Sequence, residues 1–477
     1  MSSLPEATKQ TLSSPLQTGE RQSSGTVPPS FGGVGGWEDN LPSFGGVGGG
    51  FWFLTVFAAE EIPAAIVTYV ALLMLLQMGV APAEATFLSA LLFVPWILKP
   101  LMRPRIERTR HLSRMLHLVE ALLVLSLVLL ALSFRPALFF SFPSSVSSKL
   151  FTLHSSFLIL FLVSLLRAWH ELAAHACYER TLSPALRRLL VVPKLACSQI
   201  AVIFTYGALI FLVGALEVYT RQIRYSWSVG CCVVAGILLL FALHHLFWLN
   251  GGTMSGLQGP ASDHQTEPQP SAKHRMSVIH SPLLTIFLLL LPQALMFQTR
   301  VLYLFDTHGH GGLQCTIQEI GFAQGTVGVI AFSIGIALGR LLIIRHGLQR
   351  PFWPMAVSIV LSPFVYWGMT MWPPRLLWEL CCCTMTAQFL FGFGLGACRH
   401  PLSAVFGNRY SNTINMLQIP LVSAAMILPM AASGWLSEQL GYEAYFLVNA
   451  LSAPVCLLGI YLLRLFTQPQ HKSPAAG

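Results

Sequence analysis

The chain has 477 residues, of which 54% are hydrophobic and only 10% carry a formal charge, with a mean hydropathy of +0.64. A water-soluble globular protein carries roughly 25% charged residues, so this composition excludes one and implies a polytopic membrane protein. The net charge of +9 would suit a nucleic-acid binder, but its distribution along the chain assigns it to anionic lipid headgroups instead.

Residues 1–50 are rich in Ser, Pro, Thr and Gly, and Pro29-Ser-Phe-Gly-Gly-Val-Gly-Gly36 recurs as Pro42-Ser-Phe-Gly-Gly-Val-Gly-Gly49. Such composition reads as a flexible tail. No Lys-Ser/Thr follows the glycines and no strand precedes them, so a phosphate-binding loop is not expected. No charged-then-apolar leader precedes the first span, so no cleaved signal is expected.

Twelve apolar segments follow, at 51–78, 84–101, 113–133, 149–177, 189–216, 227–249, 281–304, 318–344, 352–371, 376–398, 412–435 and 443–466. Each is long enough to cross a hydrocarbon core of roughly 30 Å as a helix. The longest polar interruption, 250–280, carries Gly251, Gly252, Pro260, Pro268 and Pro270 and divides the chain six plus six. The expected organisation is a cytoplasmic tail (1–50), a six-helix bundle (51–249), a cytoplasmic linker (250–280), a second six-helix bundle (281–466) and a short tail (467–477). With the N-terminus inside, the outer side receives only Arg135, Lys149, Arg221, Arg224, Arg300 and Arg375 of the 28 Lys and Arg. Arg167 lies within a span, and all the others fall inside. That bias places both termini in the cytoplasm and makes nucleic acid unnecessary as a partner. The ten cysteines have neither the paired spacing of a disulfide framework nor that of a zinc site.

Polar residues inside the spans are the candidates for function, because charge in lipid is tolerated mainly where it faces a partner or a wet cavity. In the first span, Glu60-Glu61-Ile62-Pro63 follows only nine apolar residues. Glu60 is either cavity-facing or interfacial, and Pro63 frees a backbone carbonyl. In the fourth span, Arg167, Glu171, His175 and Glu179 are spaced four apart and form one polar stripe. Glu171 beside Arg167 reads as an intramembrane ion pair, either proton-exchanging or structural. The two histidines of His170-Glu171-Leu-Ala-Ala-His175 are five apart and not four, which excludes the zinc-protease pattern. Gly325, Gly328, Gly335 and Gly339 in the eighth span are spaced for close helix packing. Gln293, Gln324 and Gln388 lie deepest in their spans and are the candidates to line a substrate cavity. Gln298, Arg300, Asn412, Asn415 and Gln418 read as helix-to-helix hydrogen bonders, Thr307-His308-Gly-His310 as a solvated loop, and His244-His245 as interfacial.

Twelve spans with basic turns after the second and eighth resemble the major facilitator superfamily. Several stretches are similar to its muropeptide-permease-like (AmpG-like) branch, in forms found in Bacteroidetes-type bacteria. They are Phe57-Ala-Ala-Glu60-Glu-Ile-Pro63, Val94-Pro-Trp-Ile-Leu-Lys99-Pro, His170-Glu171-Leu-Ala-Ala, Gly321-Phe-Ala-Gln-Gly325-Thr-Val-Gly-Val-Ile, Arg345-His-Gly-Leu-Gln-Arg-Pro-Phe-Trp-Pro354 and Ser433-Gly-Trp-Leu-Ser-Glu-Gln-Leu-Gly-Tyr442. Where the branch reads His-Asp-x-Ala-Ala-Asp-Gly, this chain has Glu171, His175 and Ala176. The resemblance implies an all-α inner-membrane transporter of twelve helices in two bundles, importing a small polar solute with protons. It implies no enzyme activity, cofactor or resident metal. The partners are then the solute, the proton and the bilayer, and the chain acts as a monomer. Glu60 and Glu171 would carry the coupled proton, with Arg167 and His175 as charge partners. A siderophore importer, a drug exporter and a non-transporting receptor or scaffold are the alternatives.

Overall fold

A segment that crosses lipid has no water to satisfy its peptide groups, so each long apolar run closes its own hydrogen bonds as a helix. The computed structural model describes the backbone of residues 52–109, 111–134, 146–182, 187, 189–250, 272–347, 350–407 and 413–467. The predicted N-terminal tail, residues 251–271 of the linker, Asn412 and residues 468–477 lie outside the described residues. All regular structure among the described residues is helical, and it forms twelve runs: α1 (Trp52–Gln77), α2 (Pro82–Ile106), α3 (Leu112–Ser133), α4 (Val146–Thr181), α5 (Val191–Thr220), α6 (Ile223–Asn250), α7 (Ala272–Phe305), α8 (Ile317–His346), α9 (Phe352–Met371), α10 (Leu377–Gly407), α11 (Thr413–Leu440) and α12 (Tyr442–Thr467, interrupted at Ser452). Over the described residues nine of these, α1–α6, α8, α9 and α12, are long and apolar enough to cross a membrane. Helix outruns apolarity at several ends. α7 begins at Ala272, inside the stretch expected to be linker, because backbone hydrogen bonding continues after the hydrophobic run stops.

Local chemistry sets the ends. α1 stops where Gly79 takes φ 83, a left-handed conformation costly for any residue with a Cβ. Pro82 then occupies the first turn of α2, where its missing N–H is no loss. α8 opens with a capping box: Thr316 accepts from the Glu319 backbone N–H, and the Glu319 carboxylate accepts from the Thr316 N–H at 2.8 Å.

Helices α1–α6 pack among themselves through the pairs α3/α6, α3/α4, α1/α5, α1/α4 and α5/α6. Helices α7–α12 do so through α8/α10, α9/α10, α7/α11, α7/α12 and α9/α12. The two sets meet along α2/α11 and α5/α8. Apolar side chains cover the outside, among them Leu118, Leu125, Leu158, Leu240 and Phe247, all more than half exposed. Lipid offers no hydrophobic drive between helices, so small residues and polar bonds hold them together. Gln77 shows this in α1: it accepts from the Trp227 indole of α6 and donates to Glu217 of α5, both at 2.7 Å.

The predicted glycines sit at such crossings. A Cβ on Gly325 would lie 2.6 Å from the Gly207 nitrogen of α5, and one on Gly335 would lie 2.7 Å from the Phe393 nitrogen of α10. A Cβ on Gly339 would lie 2.9 Å from the Phe393 carbonyl oxygen, and one on Gly328 would lie 3.3 Å from the Gln388 side chain.

Candidate functional site

The first part of the α4 stripe, Arg167 and Glu171, is turned inward, whereas Glu179 at its far end is exposed. Arg167, Glu171 and His170 are 8%, 9% and 0% exposed, and α1 and α2 supply the groups that meet them. Glu171 accepts from Arg167, one turn earlier, and from Lys99 of α2. Arg167 also reaches Glu60 of α1 at 3.8 Å, and its guanidinium lies 4.8 Å from the Trp96 ring centre. His175 approaches the other Glu60 oxygen at 3.8 Å. Its ring packs edge-on against Phe57, 5.5 Å away. Lys194 of α5 completes the set: its ammonium stands 3.7 Å from the Phe57 ring centre and 5.3 Å from that of Tyr178. Two of these cations, Lys99 and Arg167, are thus paired with the carboxylates of Glu171 and Glu60 inside one half of the molecule.

Glu60, Glu171, Arg167 and His175 are therefore brought together. Two residues that loop counting placed at the cytoplasmic surface join them: Lys99 is 4% exposed, and Lys194 lies among rings. In sequence Lys99 ends an apolar run and precedes Pro100, which gives no sign of the carboxylate waiting on α4. Such a charge is stable inside only because it is paired, since an isolated buried ion loses several kcal/mol of hydration. Among the described residues Glu60, Glu171 and His175 also form a possible cation-ligating trio, their donor atoms within 4.8 Å of one another. Lys99 and Arg167 already occupy the Glu171 carboxylate, so a metal ion would have to displace them.

A second polar cluster lies beside the first, and sequence reasoning missed it. Glu120 of α3 is 4% exposed and bonds His245 Nδ1 at 2.6 Å and His170 Nε2 at 3.3 Å, with His117 at 3.7 Å. Thr55 of α1 contacts His245 Nε2 at 2.9 Å and His244 Nδ1 at 3.1 Å. His245, read from the sequence as interfacial, is 0% exposed. The only signal available was a lone Glu in the apolar third span.

The three glutamines occupy the other half. Gln324 is fully buried, donates to the Tyr366 hydroxyl at 2.9 Å and accepts from Gln388 at 3.3 Å. Gln293 donates to the Ile359 carbonyl at 3.2 Å and joins α7 to α9. Gln298 accepts from the Ser89 hydroxyl of α2 at 2.8 Å and donates to the Thr86 carbonyl of the same helix at 3.0 Å. The loop histidines 308 and 310 are exposed; His310 contacts Asp306 at 3.1 Å. Arg300, assigned by the loop count to the outer side, is 6% exposed within α7. The side chains of Asn415 and Gln418 are outside the described residues.

No protein-family model matches the chain, and no curated protein matches it. Solved structures do. A bacterial homologue of the human lysosomal transporter Spinster, inward-facing and occupied, aligns with TM-score 0.61 and 13% identity over 87% of this chain and 96% of that one. The nucleoside transporter NupG aligns with TM-score 0.59 and 11% identity over 89% of this chain and 100% of its own. The xylose transporter XylE from E. coli, inward open, gives 0.57 and 13% over 88% and 96%. Two of the three are named as transporters and the other as a homologue of one. The chain is thus an all-helical membrane protein with the major facilitator fold, twelve helices in two six-helix bundles. At such identities the likeness fixes the fold alone.

Proposed function

We propose that the chain is a secondary active transporter that couples uptake of a small polar solute to protons by alternating access. The observation that carries this reading is the buried network joining Glu60, Lys99, Arg167, Glu171 and His175. A scaffold needs no ions in its interior, whereas a carrier that moves protons needs carboxylates able to exchange partners away from bulk water. Glu171 and Glu60 are the proton carriers. Protonation of Glu171 frees Arg167 and Lys99 from it, and Arg167 then has Glu60 as its remaining carboxylate. This redistribution of charge is what biases one half to rock against the other across the α2/α11 and α5/α8 contacts. The solute is peptide-like or muropeptide-like, a reading supported by the motif resemblance over 51–466. The same resemblance supports a monomer in a bacterial inner membrane, and the Lys and Arg bias of the loops supports cytoplasmic termini.

The test uses proteoliposomes with an imposed proton gradient. Glu171→Gln should abolish uphill accumulation of solute while retaining counterflow, which needs the fold but no gradient. Uphill uptake at the parent rate in this variant would discard the assignment.

A further inference from the structure

The buried Lys99 and Arg167 of the first half are met by carboxylates; among the described residues, one buried cation of the other half is not. Arg300 of α7 is 6% exposed and its Nε has no hydrogen-bond partner. Among the described residues no carboxylate lies within ion-pair distance of it. Among the described residues it meets the ring of Phe297, a turn earlier, 5.1 Å from the guanidinium. Arg167, in a comparable degree of burial, is met by two carboxylates. A guanidinium inside a membrane protein is retained against its desolvation when something neutralises it, and nothing fixed in the described part of the chain neutralises Arg300.

The surroundings are built and not incidental. Phe297 packs against Tyr69 of α1 at 5.7 Å and against Phe93 of α2 at 6.1 Å, so Arg300 sits where the two halves face each other. Tyr69 stacks on Tyr206 of α5, with ring centres 4.5 Å apart. The hydroxyl of Tyr206 is buried without a partner. Gln324, on the turn of α8 that packs against the Tyr206 turn, donates to the Tyr366 hydroxyl at 2.9 Å. Three of these residues lie in π-helical turns: Tyr69 in Ile66–Val70, Tyr206 in Ile203–Ala208 and Gln324 in Gly321–Gly328. The turn of α5 packs against those of both α1 and α8. Wide turns are uncommon and concentrate at functional sites; here three meet round one unneutralised cation.

We propose that Arg300, with the hydroxyls of Tyr69, Tyr206 and Tyr366, binds an oxyanion, a carboxylate or phosphate, carried by the transported solute. The fork of guanidinium donors suits either group, and Tyr206 supplies an unused donor. This inference rests on the transporter reading, because a site between the halves is reached only if they part.

The experiment measures equilibrium binding to the full chain in nanodiscs by intrinsic tryptophan fluorescence. The probes are benzoate, phenyl phosphate and N-acetylphenylalanine, each against its neutral amide or alcohol counterpart. At least one anion should bind saturably, at least tenfold more tightly than its neutral counterpart. Arg300→Gln should weaken that binding at least tenfold, and Arg300→Lys should restore part of it. Tyr206→Phe, which keeps the ring stack, should weaken it by a smaller factor and guards against misfolding of the arginine variants. Equal binding of charged and neutral probes, saturable binding by no anion, or unchanged binding by Arg300→Gln overturns the proposal. Nanodiscs of phosphatidylcholine alone and with phosphatidylglycerol separate a free solute from a lipid headgroup. Competition by phosphatidylglycerol, with no uptake of the bound probe into liposomes, would give the site to lipid and overturn the solute assignment. Uptake of the probe that is insensitive to Arg300→Gln sinks this inference alone. Arg300-dependent binding in both lipid compositions, without uptake of any bound probe, keeps an anion site but overturns its assignment to a transported solute.

Discussion

Substituting the partners of Glu171 one at a time tests whether the inward-facing charges form one network. Glu171→Gln removes the one carboxylate among the described residues that contacts both Lys99 and Arg167, which are 4% and 8% exposed. Breaking a buried pair from one side costs about 3–5 kcal/mol, because the surviving charges stay desolvated. Lys99→Met differs in kind. It keeps the volume, deletes a cation and leaves Glu171 bound to Arg167. The lost charged hydrogen bond, about 1.5–3 kcal/mol, is partly offset by no longer burying an ammonium, so the net cost is about 1–2 kcal/mol. With Lys99 already replaced, Glu171→Gln strands one cation instead of two, and that cation, Arg167, retains Glu60 at 3.8 Å. Its cost should fall by about 1–3 kcal/mol, the coupling usual for groups in one network. Reversible SDS titration of the four purified proteins in mixed micelles, followed by far-UV circular dichroism, closes the cycle. Two additive single substitutions, or a Glu171→Gln variant within about 0.5 kcal/mol of the parent, would refute the reasoning.

Gly325→Val places side-chain atoms where the α5 backbone now runs, 2.6 Å from the Gly207 nitrogen at the Cβ position. Overpacking of this kind costs about 1–3 kcal/mol, a bias of about 5- to 150-fold against the state in which α5 and α8 touch. Cross-linking between cysteines placed at Gln199 and Ser333, whose side chains bond at 2.8 Å, should fall at least about fivefold in that variant; an unchanged yield contradicts it. Cys315, in the turn before α8, has its thiol pushed from 9.0 up to about 12 by burial, with Glu319 adding to it. Only the thiolate reacts with maleimide, so Cys315 should resist N-ethylmaleimide at pH 8 and react about a hundredfold faster at pH 10. Mass spectrometry that finds it modified at pH 8 as fast as an unperturbed cysteine rules this out.

By itself the sequence determined the twelve spans, because hydrocarbon allows so few backbone solutions that a long apolar run is nearly a complete instruction. It also determined that Arg167, Glu171 and His175 of α4 face inward, since they share a helical period and cannot be left in lipid. Glycine spacing likewise marked the tight crossings of α8. Tertiary structure alone decided what meets those groups. Lys99 and Lys194 read as surface cations, His245 as an interfacial histidine and Glu120 as nothing in particular, because a side chain's partner on another helix leaves no trace in its own neighbourhood. Arg300 is the sharpest case. The sequence counted it on the outer side and read it as a helix-to-helix hydrogen bonder, and only the packing of α1, α5 and α7 shows it beside aromatic rings with no acid among the described residues to balance it. Helical period tells which way a residue points along its own axis. The rotation and pairing of twelve axes decide what it finds there.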